Sequence, residues 1–207
     1  MQHKVRKAEE YSRSDLQYEA REFDLSKVKG ISREALDDHL HLYRGYVENT
    51  NKLLKQALAA RASHGRQPDP EGWVHRLGFE FNGMVLHELF FDQLHGPSGD
   101  LPTDGVLAEA ADMSFGSVKG WRDHVIAVAR TRGPGWVMSA RDWTSNRLLT
   151  FWVEQHHVGI PAGLEPVFVL DLWEHAYMRD FGVSGRDQWV ETVLGNTDWK
   201  VIEERCG

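Results

Sequence analysis

From Ser32 onward, the apolar residues Leu36, Leu40, Tyr43, Val47, Leu53, Leu54 and Leu58 return every three or four positions, the spacing that gathers side chains on one face of an α-helix. Ser32 is a suitable N-cap and Glu34 stands in the first turn, so the helix has a start as well as a face. The stretch ASHGRQPDPEG, residues 62–72, breaks the pattern, and a second helical row, Leu77, Phe81, Met84, Phe90 and Phe91, runs over residues 73–94. Two amphipathic helices joined by so short a break fold back on one another as an antiparallel hairpin. Whatever polar side chains sit on their inner faces must then meet.

The strongest loop signal, HGPSGDLPTDG, follows the second helix and marks a lobe boundary. Beyond it the pattern predicts helices over 105–113 and 117–131, then three strand-like runs, GWVMSAR, RLLTFWVEQ and PVFVLDLW. The first two are joined by the polar turn DWTSN; the third is a continuous apolar run, as expected for a strand covered on both faces. Two short helices, 173–179 and 188–205, close the chain. The expected fold is α+β: a charged N-terminal extension (1–20), a helical-hairpin domain (21–98) and a C-terminal α/β domain (99–207) with a small three-stranded antiparallel sheet.

Composition excludes several functions. A formal charge of −7 gives no basic face for nucleic acid. No run of eighteen apolar residues offers a membrane span, and the charge-rich start lacks a secretory h-region, so a cytoplasmic location is expected. The one cysteine, Cys206, rules out an internal disulfide and the cysteine-rich kind of zinc site. A metal here would need histidine and carboxylate ligands.

Such ligands are present. On the first helix His39 and Tyr46 are seven apart and share a face, while His41 points nearly opposite; one of the two histidines faces the hairpin partner. On the second, His87 lies in the apolar row Met84, His87, Phe91, Leu94 and is core-facing. Asp171 ends the buried strand, and His175 follows four residues later. Three imidazoles and one carboxylate would then converge on the hairpin. A lone buried carboxylate is costly, and a cation offsets its charge while accepting the imidazole lone pairs.

The segment DLWEHAYMRDFG resembles the Asp-x-Trp-Glu-His-Ala-Tyr signature of the iron and manganese superoxide dismutases. The resemblance spans about residues 20–205 through HLHLYRGYVENTN, FEFNGMVLHELFF, SFGSVKGW, GPGWV and RDQWVETVLGNTDWKVI. It implies an enzyme that disproportionates superoxide at one iron or manganese ion per subunit, held by His39, His87, Asp171, His175 and a solvent molecule. Zinc, magnesium and calcium are excluded because the implied reaction alternates oxidation states. The resemblance further implies that His156, with Gln155 as its rival, contacts the bound solvent, and that Tyr46 relays protons. Trp136 and Trp173 would line the pocket, and His157 would lie at the surface. Glu174 would reach across a two-fold interface to the partner's ligand histidine in a homodimer or dimer of dimers. Arg186, or Arg44, would attract the anionic substrate. Val169, two before the ligand Asp, and the absence of Gln155 from the expected count put iron ahead of manganese. The chain departs from the family in three places. The first histidine stands seven rather than eight before Tyr46, so His41 remains an alternative to His39. Leu42 occupies the place of the usual gateway histidine, and no helix-borne glutamine is available ahead of His87. These departures keep a second reading in view, a metal-binding, dimeric dismutase-like protein with little turnover.

Overall fold

The computed structural model describes residues 17–62 and 71–207. Among them the order is α1 (Arg33–Ala62), α2 (Glu71–Asp92), α3 (Val106–Phe115), α4 (Val118–Ala129), β1 (Gly135–Asp142), β2 (Arg147–Glu154), β3 (Glu165–Asp171), α5 (Glu174–Phe181), α6 (Arg186–Leu194) and α7 (Trp199–Cys206). A helical hairpin precedes an α/β lobe, as the periodicity predicts. No helix among the described residues is long and apolar enough to cross a membrane. Most of the expected charged extension, and the centre of the expected break between the hairpin helices, lie outside the described residues. Tyr18, near the end of that extension, is fastened to the hairpin: its N–H donates to Asn51 Oδ1 at 2.8 Å and its ring meets Phe81 edge-on.

Helix α1 begins where Ser32 Oγ accepts the N–H of Ala35 at 3.1 Å, the capping bond that satisfies an otherwise orphaned donor. The same serine donates its own N–H and hydroxyl to Asp180 of α5, at 2.6 and 2.7 Å. Arg179 beside it pairs with Asp38 of α1. Exposed ion pairs add little stability one by one, but these contacts set how α5 lies against α1 immediately ahead of His39. Across the hairpin, Tyr43, Val47, Met84, Phe90 and Phe91 are buried together. At Gly83 the helices come so close that an added Cβ would stand 2.6 Å from Cδ1 of Tyr46, and only glycine leaves room for that ring.

The sheet has the order β2-β1-β3 with both pairings antiparallel. Strand β1 is the buried centre, and its Ser139 hydroxyl is satisfied by Trp121 Nε1 and Thr150 Oγ1, both at 2.9 Å. Strand β3 would be left with a bare edge, which would cost buried backbone groups their partners. Gln93, just past the end of α2, fills that need: its Oε1 accepts Val169 N–H and its Nε2 donates to Val169 O. Arg205 of α7 adds a second tie, donating to Leu89 O at 2.9 Å and to Val167 O at 3.4 Å. The helix that carries His87 is thus clamped to the strand that ends in Asp171.

One expected element divides. The single helix predicted over 188–205 is two, because Gly195–Asp198 turns the chain between α6 and α7. Asp198 caps α7 by accepting Lys200 N–H at 3.0 Å, and Asn196 exchanges bonds with the backbone of Lys29. Leu94 pairs with Thr197 as an isolated bridge. Apolar positions at helical spacing continue through Trp189, Val193, Trp199 and Ile202, so periodicity alone does not reveal the break. Strand β3 ends at Asp171, and Trp173 is the N-cap of α5.

Candidate metal centre

Four elements deliver one donor atom each to a common point. Helix α1 supplies His39, α2 His87, β3 Asp171 and α5 His175, and the four donor atoms lie within 4.8 Å of one another. From Asp171 Oδ2 the Nε2 atoms of His39, His175 and His87 stand at 3.1, 3.3 and 3.6 Å. Ligands about 2 Å from one ion would be separated by about 3–4 Å, so the spacing suits a single shared cation. Helix α1 is uninterrupted, and at 100° per residue the seven-residue step from His39 to Tyr46 falls about 20° short of two turns. No change of winding is needed to absorb the short spacing. His41 is exposed and stands away from the cluster; its neighbours at helical spacing, Asp38, Arg44 and Gly45, are a polar row, a signal that separates it from His39.

The donor set could hold a cation. His87 Nδ1 donates to Gly83 O at 2.6 Å, which leaves the Nε2 lone pair turned inward. The Nε2 atoms of His87 and His175 are buried and have no hydrogen-bond partner. Asp171 is fully buried; its Oδ1 accepts Trp173 N–H at 2.9 Å, while its main-chain oxygen accepts Trp189 Nε1–H at 2.7 Å. Burial depresses the pKa of His39 and, further, of His87. Burial pushes Asp171 the other way, but the charges and hydrogen bonds of His175 and His39 outweigh it and hold the carboxyl well below its ordinary range. Burial thus favours the neutral ring at His39 and His87 beside an ionised Asp171, and the Nε2 atoms of His87 and His175 stand without a partner. Burying such atoms without a partner is expensive, and a divalent or trivalent ion removes the expense. The residues fit iron or manganese.

Beside this set runs a chain of donors. Trp136 Nε1 lies 3.0 Å from His156 Nδ1, and His156 Nε2 lies 2.8 Å from the Tyr46 hydroxyl oxygen. An indole can only donate, so His156 Nδ1 accepts and the ring proton sits on Nε2, donated to Tyr46. Both nitrogens of His156 are then engaged, and Tyr46 keeps its own proton to give elsewhere. Burial lowers the His156 pKa to about 4, consistent with a neutral ring. Burial, with the charges of Asp171 and Glu80, raises that of Tyr46.

Around these groups Trp136 meets His87 edge-on, and Trp173 stacks on His156 at 4.8 Å and on His175 at 5.9 Å. Gln155 is exposed with a positive φ of 52°, offering Trp173 Nε1 its backbone oxygen at 3.4 Å. His157, expected at the surface, is half-buried against Gly78 of α2. Glu174 is exposed beside His175. Arg186 donates to Gly133 O at 3.0 Å and faces Trp152, and Arg44 stands 3.8 Å from Glu22. Sequence reasoning missed Phe79, which packs on His156 at 4.6 Å, and Gly83; for both, the signal was their placement eight and four residues before His87, on the face of α2 turned to α1.

Comparison with known proteins agrees with this geometry. Residues 103–205 match the model of the C-terminal domain of the iron/manganese superoxide dismutases. The chain is 32% identical over 170 residues to Superoxide dismutase [Mn] 2 of Haloferax volcanii, covering 82% of this chain and 83% of that one. It is 32% identical over 179 residues to Superoxide dismutase [Fe] of Methanothermobacter thermautotrophicus, covering 84% and 86%. To Superoxide dismutase [Mn] of Mycobacterium intracellulare it is 30% identical over 168 residues, covering 81% and 80%.

Proposed function

The chain belongs to the iron/manganese superoxide dismutase family, and from that premise we propose that it converts two superoxide anions and two protons to dioxygen and hydrogen peroxide. The observation that carries this reading is the convergence of His39, His87, Asp171 and His175 on one point, with two Nε2 atoms that have no other partner. An iron or manganese ion held there supplies a one-electron couple, oxidising one superoxide and reducing the next. A fourth protein ligand argues against an oxygenase, whose two histidines and one carboxylate leave positions open for substrate.

The protein's own share is to hold that set rigid and dry and to manage protons. Peroxide leaves with two protons, and Tyr46 is the protic group at the edge of the pocket. Because Trp136 and His156 fix the direction of their hydrogen bonds, the Tyr46 O–H is turned away from His156 and free to donate. The role expected of His156, contact with the solvent beside the ion, then passes to Tyr46, and His156 positions it. Iron is the favoured ion, and relatives named for both metals support either. Exposed Glu174 beside His175, whose side chain is 20% exposed, supports a two-fold contact that would cover this ligand.

Metal analysis of protein purified from its own source, followed by dismutation measured per bound metal after reloading with iron and with manganese, tests the reading. Stoichiometric metal with turnover in one loaded form is expected. Stoichiometric metal with negligible turnover in both forms favours the second reading, a dismutase-like binding protein, to which the exposed Leu42 in the gateway position points. A Glu174→Ala variant should lower the mass seen by light scattering if that residue joins two subunits.

A further inference from the structure

A protein of formal charge −7 must still admit an anion to a buried site, and local field decides that. Three of the four donor residues are closed to solvent, while the fourth, His175, and the neighbouring rings of Tyr46, Phe79 and Trp173 are half-exposed, so solvent approaches the site past these side chains. Arg76, one turn before Glu80 on α2, places its guanidinium 4.2 Å over the Phe79 ring. The other ring contacts of Phe79 run to His156 at 4.6 Å, His157 at 5.8 Å, Tyr46 at 6.1 Å and Trp173 at 6.4 Å. Arg76 is therefore one aromatic ring removed from the proton-handling pair.

We infer that Arg76 is the cation that guides superoxide to the mouth of the site, an inference that rests on the dismutase reading for the identity of its anion. Its side chain is held in place: Nε donates to Glu80 Oε1 at 2.6 Å, and Asn49 of α1 reaches the other carboxylate oxygen at 3.4 Å. The pair is electrically oriented. The Arg76 side chain is 56% exposed and that of Glu80 only 3%, so the positive end faces solvent and the negative end is sunk between the helices. An anion arriving at the rings of the mouth meets the guanidinium first. Of the arginines expected from the sequence to do this, Arg186 has its Nε and Nη2 buried and lies over Trp152, while Arg44 faces the exposed carboxylate of Glu22. The charge of Arg76, by contrast, acts on both Tyr46 and His156.

The test compares wild type with Arg76→Lys, Arg76→Gln and Arg76→Glu, each loaded with metal and assayed for metal content. Two quantities are read at low and high ionic strength: kcat/KM for superoxide, and the Kd of azide from the absorption change of the bound metal. A unit charge about 8–10 Å away in water changes anion affinity by about two-fold. Arg76→Gln should then weaken azide binding and lower kcat/KM by about two-fold, and Arg76→Glu by about four-fold. Arg76→Lys should stay near wild type, and all differences should shrink as salt is added. Equal azide Kd values across the four proteins at full metal content would overturn the inference, even with normal turnover. A wild type without turnover whose azide affinities still follow this order would instead defeat the dismutase reading and leave the anion gate standing. The lysine variant guards against a folding artefact: if it behaves like Arg76→Glu, charge is not what matters and the inference fails.

Discussion

Replacing Gly83 by alanine should separate the stability of this protein from its chemistry. The backbone at Gly83 is helical, so alanine adopts it without strain and gains about 1 kcal/mol of helix propensity. Its new methyl, however, would lie 2.6 Å from Cδ1 of Tyr46 and 2.9 Å from Cε1 and Cγ. Carbon atoms rest at about 3.5–4.0 Å, so the ring must retreat by roughly 1 Å. Helix α2 cannot retreat instead, because its end is clamped to β3 through Gln93 and tied to α7 where Arg205 donates to Leu89 O. Overpacking of this kind costs about 1–3 kcal/mol; set against the propensity gain, the net loss is about 0–2 kcal/mol. Displacing Tyr46 breaks its 2.8 Å bond from His156, and removing a positioned proton donor costs about 10²–10⁴ in rate. The expected result is near-native melting and metal content with turnover down at least ten-fold, most steeply at high pH, where protons are scarce. Adding Tyr46→Ala to Gly83→Ala should remove the clash, so that the double variant is more stable than additivity predicts. Wild-type turnover and pH profile in Gly83→Ala, or strict additivity in the pair, would refute the reasoning.

Other perturbations have equally definite outcomes. The metal-free protein should lose stability as pH falls below about 6.5, because His39, His87 and His156 have lower pKa values folded than unfolded, and the unfolded chain then binds more protons. For His156 that window runs down to about 4. Each group contributes at most about 1.4 kcal/mol per pH unit, read as a falling urea midpoint, and a midpoint that is flat or rises on acidification rejects the neutral-histidine assignment. Gln93→Ala should cost about 1–3 kcal/mol by stranding the buried amide and carbonyl of Val169, and should also weaken metal retention in chelator competition; a stability loss with unchanged retention would mean that this clamp does not position His87. Cys206, buried with its thiol pushed up to about 11, should resist a disulfide-exchange reagent at pH 8 until the protein is unfolded. Rapid labelling of the native form would contradict its burial.

What was legible in the chain was local. His87 declared itself because Met84, Phe91 and Leu94 share its helical row, and a polar residue in such a row is buried whatever the rest of the fold. Asp171 was legible as the polar end of an apolar strand, whereas helical spacing left His39 and His41 both open and only the family resemblance put His39 first. Gly195 and Asn196 misled, since the apolar period runs on past them and the turn there is stabilised by Lys29, far away in sequence.

Periodicity, capping and turn chemistry act over a few residues, so the sequence by itself determined the hairpin, the three strands and the identity of the donor groups. Tertiary structure alone decided that both nitrogens of His156 are consumed, that Tyr46 lies flat on Gly83, and that Arg76 rather than Arg186 stands over the pocket rings. Those outcomes depend on ångström-scale distances between α1, α2 and the loop after β2, and distance between remote segments is set by packing the whole core at once.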